Sequence, residues 1–90
     1  MPKLFIAHVG FYDSEIGIYE LHSNLFVVAE DVKSARAIIK NKEIFKRKKM
    51  HIDGVEEISH VDGYDIQLVT AEGSKENQTY SYHEIKKLSE

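Results

Sequence analysis

The chain of 90 residues is long enough for one hydrophobic core and too short for two, so we expect a single domain over residues 1–90. It has no cysteine, which excludes a disulfide and a thiolate metal cage, and its net charge of −3 gives no overall field that would select nucleic acid or an anionic membrane. The apolar run at the N-terminus is too short for a signal peptide or a membrane span, so we predict a cytoplasmic protein.

The first part of the chain predicts a β-hairpin. Residues 3–9 carry apolar side chains at both odd and even positions, which is typical of a central strand that is covered on both faces. Two glycines and two turn-favouring residues within residues 10–17 predict a loop to a second strand over Ile18–Ala29. That segment is long for one strand, and Ser23-Asn24 in its middle favours a β-bulge.

One main helix is predicted next. Asp31 can accept a hydrogen bond from the free amide of Lys33 or Ser34 and so cap the helix. Apolar residues then recur at helical spacing and form a single stripe, and we expect the helix to end between Asn41 and Lys46. The stripe consists of Val32, Ala35, Ile38 and Ile39.

Two further strands are predicted after the helix. The third strand covers Met50–Glu57. Asp62-Gly63 then lies between two alternating apolar segments and favours a type I′ turn, because both turn residues need positive φ. That turn pairs His60 with Asp65 and turns one apolar face towards the core. The residues of this face are Val55, Val61, Tyr64, Ile66 and Leu68.

The end of the chain predicts a polar surface loop over Ala71–Gln78 and then a short helix. Ser81 with Glu84 three residues later is a capping-box pattern, and the helix is expected to reach Leu88. The predicted fold class is therefore α+β: an antiparallel sheet of about four strands in the order ββαββ, with the main helix on one face and a short C-terminal helix.

Two pairs of potential metal ligands stand at strand positions. Glu20 and His22 are two residues apart, as are His51 and Asp53, so both side chains of each pair point to the same side of a strand. If the second and third strands present them to one surface, two imidazoles and two carboxylates converge, a set that suits zinc, manganese or iron, or acid–base chemistry. The simpler interpretation is that each pair lies on the solvent side of a half-buried strand.

A basic segment is the second candidate site. Residues 40–49 hold six of the twelve basic residues of the chain, which could contact phosphate groups. The simpler interpretation is a solvated helix end, because the only aromatic residue among them is Phe45, which the apolar stripe buries, and the acidic remainder would repel a phosphate backbone. The six residues are Lys40, Lys42, Lys46, Arg47, Lys48 and Lys49.

Association is the third interpretation. The chain has no nucleophile elbow, no phosphate-binding glycine loop and no dinucleotide fingerprint, so we expect a binding module rather than an enzyme. A sheet with one main helix leaves one face poorly covered, and edge strands need protection. A second copy of the chain, forming a homodimer, or another protein is therefore the expected partner.

Four segments together resemble a small bacterial family known only as a domain of unknown function, which occurs in one or two copies per chain. These segments are LFIAHVGFYD, ELHSNLFVVAEDVKSA, MHIDGVEEI and HVDGYDIQL. The resemblance implies a bacterial domain without an assigned activity, and its Glu-Leu-His and His-Ile-Asp motifs fall on Glu20, His22, His51 and Asp53.

Residues and resemblance together predict a small domain that acts through contacts with itself or with another protein. The alternative is a metal or acid–base site at the two His–carboxylate pairs, and the second alternative is weak nucleic-acid binding through residues 40–49. We expect no membrane partner and no cofactor, unless the alternative site holds a divalent metal.

Overall fold

A computed structural model describes residues 1–73 and 75–89. The chain is α+β, as predicted, and is built around a three-stranded antiparallel sheet in the order β2-β1-β3. The elements in chain order are β1 (Lys3–Phe11), β2 (Leu21–Ala29), α1 (Val32–Lys40), α2 (Glu43–Arg47), β3 (His51–Ile58), β4 (His60–Val61), β5 (Tyr64–Asp65) and α3 (Tyr82–Lys87).

The core lies on one face of this sheet. Alternate residues of β1, namely Phe5, Ala7 and Val9, are buried against α1 and α2. The central position of β1 is confirmed, but the expectation that both its faces are covered is wrong, because His8 on the other face is exposed. We call this second face the open face. It carries residues 4, 6, 8 and 10 of β1 and their partners on β2 and β3.

The segment predicted as one main helix forms two helices, α1 and α2. Asp31 caps α1 by accepting a hydrogen bond of 2.7 Å from the backbone N–H of Ser34, as predicted. Lys42 has an extended backbone, with φ −66° and ψ 139°, which ends the first helix and redirects the chain. This break turns Phe45 of α2 into the core, where only 8% of it is exposed, so burial of an aromatic side chain accounts for the division.

The β-bulge predicted at Ser23-Asn24 is wrong, and the structure has a bulge in β3 instead. The pairing of β2 with β1 runs without interruption through Ser23 and Asn24, and the strand begins at Leu21 rather than Ile18. The register shifts instead between β1 and β3, where His8 pairs with Gly54 and Val9 pairs with Ile52. Since side chains alternate along a strand, the extra residue reverses which face the following residues occupy. It therefore places His51 on the open face, opposite Gly10.

The Asp62-Gly63 hairpin has the predicted turn but does not extend the sheet. Both turn residues have positive φ, 53° and 85°, and His60 pairs with Asp65 as expected. The ββαββ order is confirmed only in part: β1, β2, the helices and β3 follow one another as predicted, but the fourth strand is not part of the main sheet, because β4 and β5 form a separate two-stranded sheet. The strands have two residues each, and the apolar side chains expected to reach the core are exposed, 46% for Val61 and 74% for Tyr64.

The C-terminal helix has the predicted capping box. The Ser81 hydroxyl accepts from the Glu84 backbone N–H at 3.3 Å, and the Glu84 carboxylate accepts from the Ser81 backbone N–H at 3.2 Å. No side chain of this helix is buried. The predicted loop over Ala71–Gln78 includes Ser74, which lies outside the described residues. Within the described ranges, every helix is too short and too polar to cross a lipid bilayer.

Candidate metal site

The sheet brings both predicted His–carboxylate pairs to one end of the open face. His22 of β2 and His51 of β3 both pair with Gly10 of the central strand, so their side chains stand on either side of it. Glu20 immediately precedes β2, and Asp53 is the extra residue of the bulge in β3. We call Glu20, His22, His51 and Asp53 the four-residue cluster.

The polar atoms of this cluster lie within contact distance of one another. His51 Nε2 is 2.6 Å from Glu20 Oε1 and 3.2 Å from Asp53 Oδ1. His22 Nε2 is 3.3 Å from Asp53 Oδ2 and 3.6 Å from Glu20 Oε1. Each imidazole therefore contacts both carboxylates, and the pairs that the sequence separates by some thirty residues form one group.

Gly10 provides the space in which the cluster forms. It is buried beneath these side chains, and a Cβ atom at this position would overlap Glu20 Oε1 and lie 2.6 Å from His51 Nε2. Any residue other than glycine would therefore push the two polar atoms apart. Sequence reasoning assigned this glycine only to the turn. The signal that could have found its role is the pairing of β1 with both other strands, which depends on a register that composition does not fix.

The four-residue cluster is half-exposed, and its carboxylates outweigh its imidazoles in charge. The exposed fraction of its side chains ranges from 31% for Glu20 to 50% for His51. Two carboxylates beside two neutral imidazoles carry a net charge of about −2, which either protonation of the imidazoles or a divalent cation would balance. The geometry suits protonated imidazoles and also suits a bound divalent cation. Addition of a metal ion distinguishes these two states.

A second histidine-containing group adjoins the cluster. The rings of His8 and His22 are stacked, with centroids 4.9 Å apart and planes within 5°. His8 Nδ1 lies 3.2 Å from Asn24 Oδ1 on the neighbouring strand. Ligand atoms of His8, His22 and Asp53 all lie within 4.8 Å of one another, as do those of Glu20, His51 and Asp53. Sequence reasoning missed His8 and Asn24, although His8 is two residues before Gly10 and so lies on the same face of β1.

The basic segment does not form a comparable site. Arg47 Nη1 is 3.3 Å from Glu43 Oε1, and Lys48 Nζ is 3.0 Å from Asp13 Oδ2, so both cations have acidic partners. Phe45 is buried in the core, as expected, and is not available to stack on a base. The remaining basic residues of the segment, Lys40, Lys42, Lys46 and Lys49, follow α1 and α2 along the surface.

Fold and site together define a small α+β domain with a His–carboxylate cluster on an open sheet face. A family model described as "Domain of Unknown Function (DUF1543)" matches residues 17–68, and since this is more than half of the chain, the chain belongs to that family. The resemblance to a family known only as a domain of unknown function is thus confirmed. The matched range includes all of the four-residue cluster, whereas His8 and Gly10 precede it. No curated protein and no solved structure matches the chain.

Proposed function

We propose that the domain binds a divalent transition-metal ion through Glu20, His22, His51 and Asp53. The observation that supports this function is the spacing of the donor atoms. Atoms that bind zinc tetrahedrally at about 2.0 to 2.2 Å lie roughly 3.3 to 3.6 Å from one another. Three of the four His–carboxylate separations are close to this range: 3.2 Å from His51 to Asp53 Oδ1, 3.3 Å from His22 to Asp53 Oδ2 and 3.6 Å from His22 to Glu20 Oε1.

The fourth separation is shorter and fits a hydrogen bond. His51 Nε2 and Glu20 Oε1 are 2.6 Å apart, a distance at which one proton is shared between them. A metal ion would replace that proton, because an imidazole binds metal only through an unprotonated nitrogen. Protons therefore compete with the metal ion for His51 Nε2, so binding should weaken in acid.

The ligand types indicate which ions fit. Two imidazoles and two carboxylates without any thiolate are suited to Zn²⁺, Mn²⁺ or Fe²⁺ rather than to the soft ion Cu⁺. The two carboxylate charges offset the charge of a divalent ion. Gly10 supports the same function, because it has no side chain at a position where a Cβ atom would obstruct the donor atoms of Glu20 and His51.

Calorimetric titration of the protein with ZnCl₂ at neutral pH tests the proposal. We expect a saturable heat for the natural sequence and none for the double variant His22→Ala/His51→Ala. His60→Ala is the matched control, because His60 also contacts a carboxylate, Asp65, but lies in the separate hairpin. If the natural protein gave no heat with either Zn²⁺ or Mn²⁺, the metal-binding function would be wrong.

Self-association is the second candidate, and the apolar end of the open face favours it. Phe26 and Val28 are 60% and 50% exposed there, next to the partly buried Ile6. A second copy related by a two-fold axis would present the same apolar side chains and cover them. Light scattering should then give the mass of a dimer for the natural protein and of a monomer for Phe26→Glu. A monomeric natural protein at micromolar concentration would remove this candidate.

A further inference from the structure

Asp53 has both carboxylate oxygens directed at imidazoles, one on each side. Its Oδ1 is 3.2 Å from His51 Nε2, and its Oδ2 is 3.3 Å from His22 Nε2. A carboxylate that serves one ion can use a single oxygen, whereas a carboxylate that bridges two ions offers one oxygen to each. The position of Asp53 as the extra residue of the bulge places it between the two histidines.

From this arrangement we infer that the site holds two divalent ions bridged by Asp53, one bound by Glu20 and His51 and the other by His8 and His22. The inference rests on the proposed metal-binding function and extends it to a dinuclear centre. Each ion then has three protein ligands, and coordination positions remain open to solvent, which is the arrangement of sites that bind or activate a further ligand.

Asn24 is placed as an outer-shell partner of His8. The side-chain oxygen of Asn24 can only accept, so the contact of 3.2 Å fits the neutral tautomer of His8 that carries its proton on Nδ1. Nε2 is then the unprotonated nitrogen, with its lone pair free for a metal. Fixing the tautomer of a ligating histidine through its other nitrogen is the usual task of an outer-shell partner.

The second group closes around an ion when the ring of His8 or His22 turns out of the present stack, because an imidazole binds an ion that lies in the plane of its ring. Two atoms bound to one ion at about 2.1 Å are at most roughly 4.2 Å apart. The ligand atoms of His8, His22 and Asp53 lie within 4.8 Å of one another, and all three residues are at the surface, where side chains rotate freely. The stack places His8 beside His22, so rotation of one ring is sufficient to direct both imidazoles at the same position.

Zinc stoichiometry separates this inference from the function on which it rests. Equilibrium dialysis against excess Zn²⁺, with the metal content measured by atomic emission, should give two ions per chain for the natural protein, two for His60→Ala and one for His8→Ala. No bound zinc would refute the proposed function itself. One ion in the natural protein would leave that function standing and overturn the dinuclear centre, as would two ions in the His8→Ala variant.

A spectroscopic measurement on the unaltered protein avoids dependence on the folding of a variant. Two Mn²⁺ ions bridged by a carboxylate at about 3.5 to 4 Å are magnetically coupled. Electron paramagnetic resonance should therefore show the coupled signal with two equivalents of Mn²⁺ bound. Signals of isolated ions alone at that stoichiometry would contradict a bridge through Asp53.

Discussion

Two His–carboxylate contacts of equal length lie in different parts of the molecule and differ in their surroundings. His51 Nε2 is 2.6 Å from Glu20 Oε1 on the main sheet, and His60 Nδ1 is 2.6 Å from Asp65 Oδ1 in the hairpin. The hairpin side chains are 75% and 76% exposed, against 50% and 31% in the sheet. Both pairs therefore have a short His–carboxylate distance. Within the described residues, further potential ligands converge only on the pair in the main sheet.

The difference arises from the strands beneath the two contacts. The hairpin has two strands of two residues, so His60 and Asp65 have only each other as cross-strand neighbours. In the main sheet a third strand lies between the pairs, and its residue at the site is a glycine. The hairpin pair therefore serves as an internal control for substitutions of the histidines and carboxylates in the cluster.

The largest effect is expected from Gly10→Ala. The added methyl group would overlap the side-chain ends of Glu20 and His51, which can swing away into solvent, so the fold should persist while the donor atoms separate. We expect zinc binding to fall below detection in calorimetry, with a melting temperature close to that of the natural protein.

Gly54→Ala is the control for this substitution. Gly54 lies on the same open face, opposite His8, and a Cβ atom there meets no atom within 4 Å. Its zinc affinity should stay within roughly twofold of the natural value, the range of an ordinary surface substitution. If both alanine variants bound zinc equally well, the steric role assigned to Gly10 would be wrong.

Asp53→Asn should give the next largest loss. The amide removes the negative charge and one acceptor oxygen while preserving size, and Glu20, His22 and His51 remain as ligands. We expect zinc affinity to fall by at least about 100-fold, the upper end of what loss of an outer-shell partner costs. Asp65→Asn makes the same chemical change in the hairpin pair, so its affinity should equal that of the natural protein in the same titration.

The elements that sequence reasoning predicted correctly are those with local causes. Asp31 caps α1, Asp62-Gly63 makes a type I′ turn, and Ser81 with Glu84 forms a capping box, each through contacts within four residues. The alternation of Glu20 with His22 and of His51 with Asp53 also placed each pair on one side of the chain. Local patterns were enough to name the four-residue cluster.

The features that sequence reasoning missed depend on register between distant segments. The bulge opposite His8 reverses the faces of β3, and without it His51 would share the core face with Val55. Neither Gly10 beneath the cluster nor His8 beside it carries a local signal of its role. The Asp62-Gly63 turn has a local signal, but the pairing of its strands with the main sheet does not. That pairing depends on the whole sheet and not on one turn.

A smaller effect is expected from Asn24→Ala. The substitution removes the acceptor at His8 Nδ1 and frees the ring to rotate and change tautomer. Affinity for the second zinc ion should fall by about tenfold, as for other outer-shell partners, while the first ion binds unchanged. Ser23→Ala in the same strand is the control, because alternation turns that side chain to the opposite face. If Asn24→Ala lowered the affinity for both ions equally, Asn24 would affect the structure of the sheet rather than the ring of His8.

The smallest effect should come from Asp13→Asn, in the loop that leads to Glu20. The hydrogen bond from the Lys48 ammonium, at 3.0 Å, and the backbone N–H of Glu15 hold the pKa of Asp13 below its ordinary value. A lowered pKa means that the folded state favours the carboxylate. The stabilisation is therefore fully present above the ordinary carboxyl pKa of about 3.9 and is lost as the pH falls through the lower folded value.

Urea unfolding of the metal-free protein can measure this contribution. At pH 7 we expect Asp13→Asn to unfold at a lower urea concentration than the natural protein. This difference should shrink towards zero in strong acid. The control Glu15→Gln should match the natural protein at pH 7. The ion pair between Asp13 and Lys48 fixes the loop but not Glu20 itself. The zinc affinity of Asp13→Asn should therefore fall by less than the tenfold expected for an outer-shell partner. A larger fall would mean that the cluster depends on the loop as much as on the sheet, and that Gly10 alone does not account for its geometry.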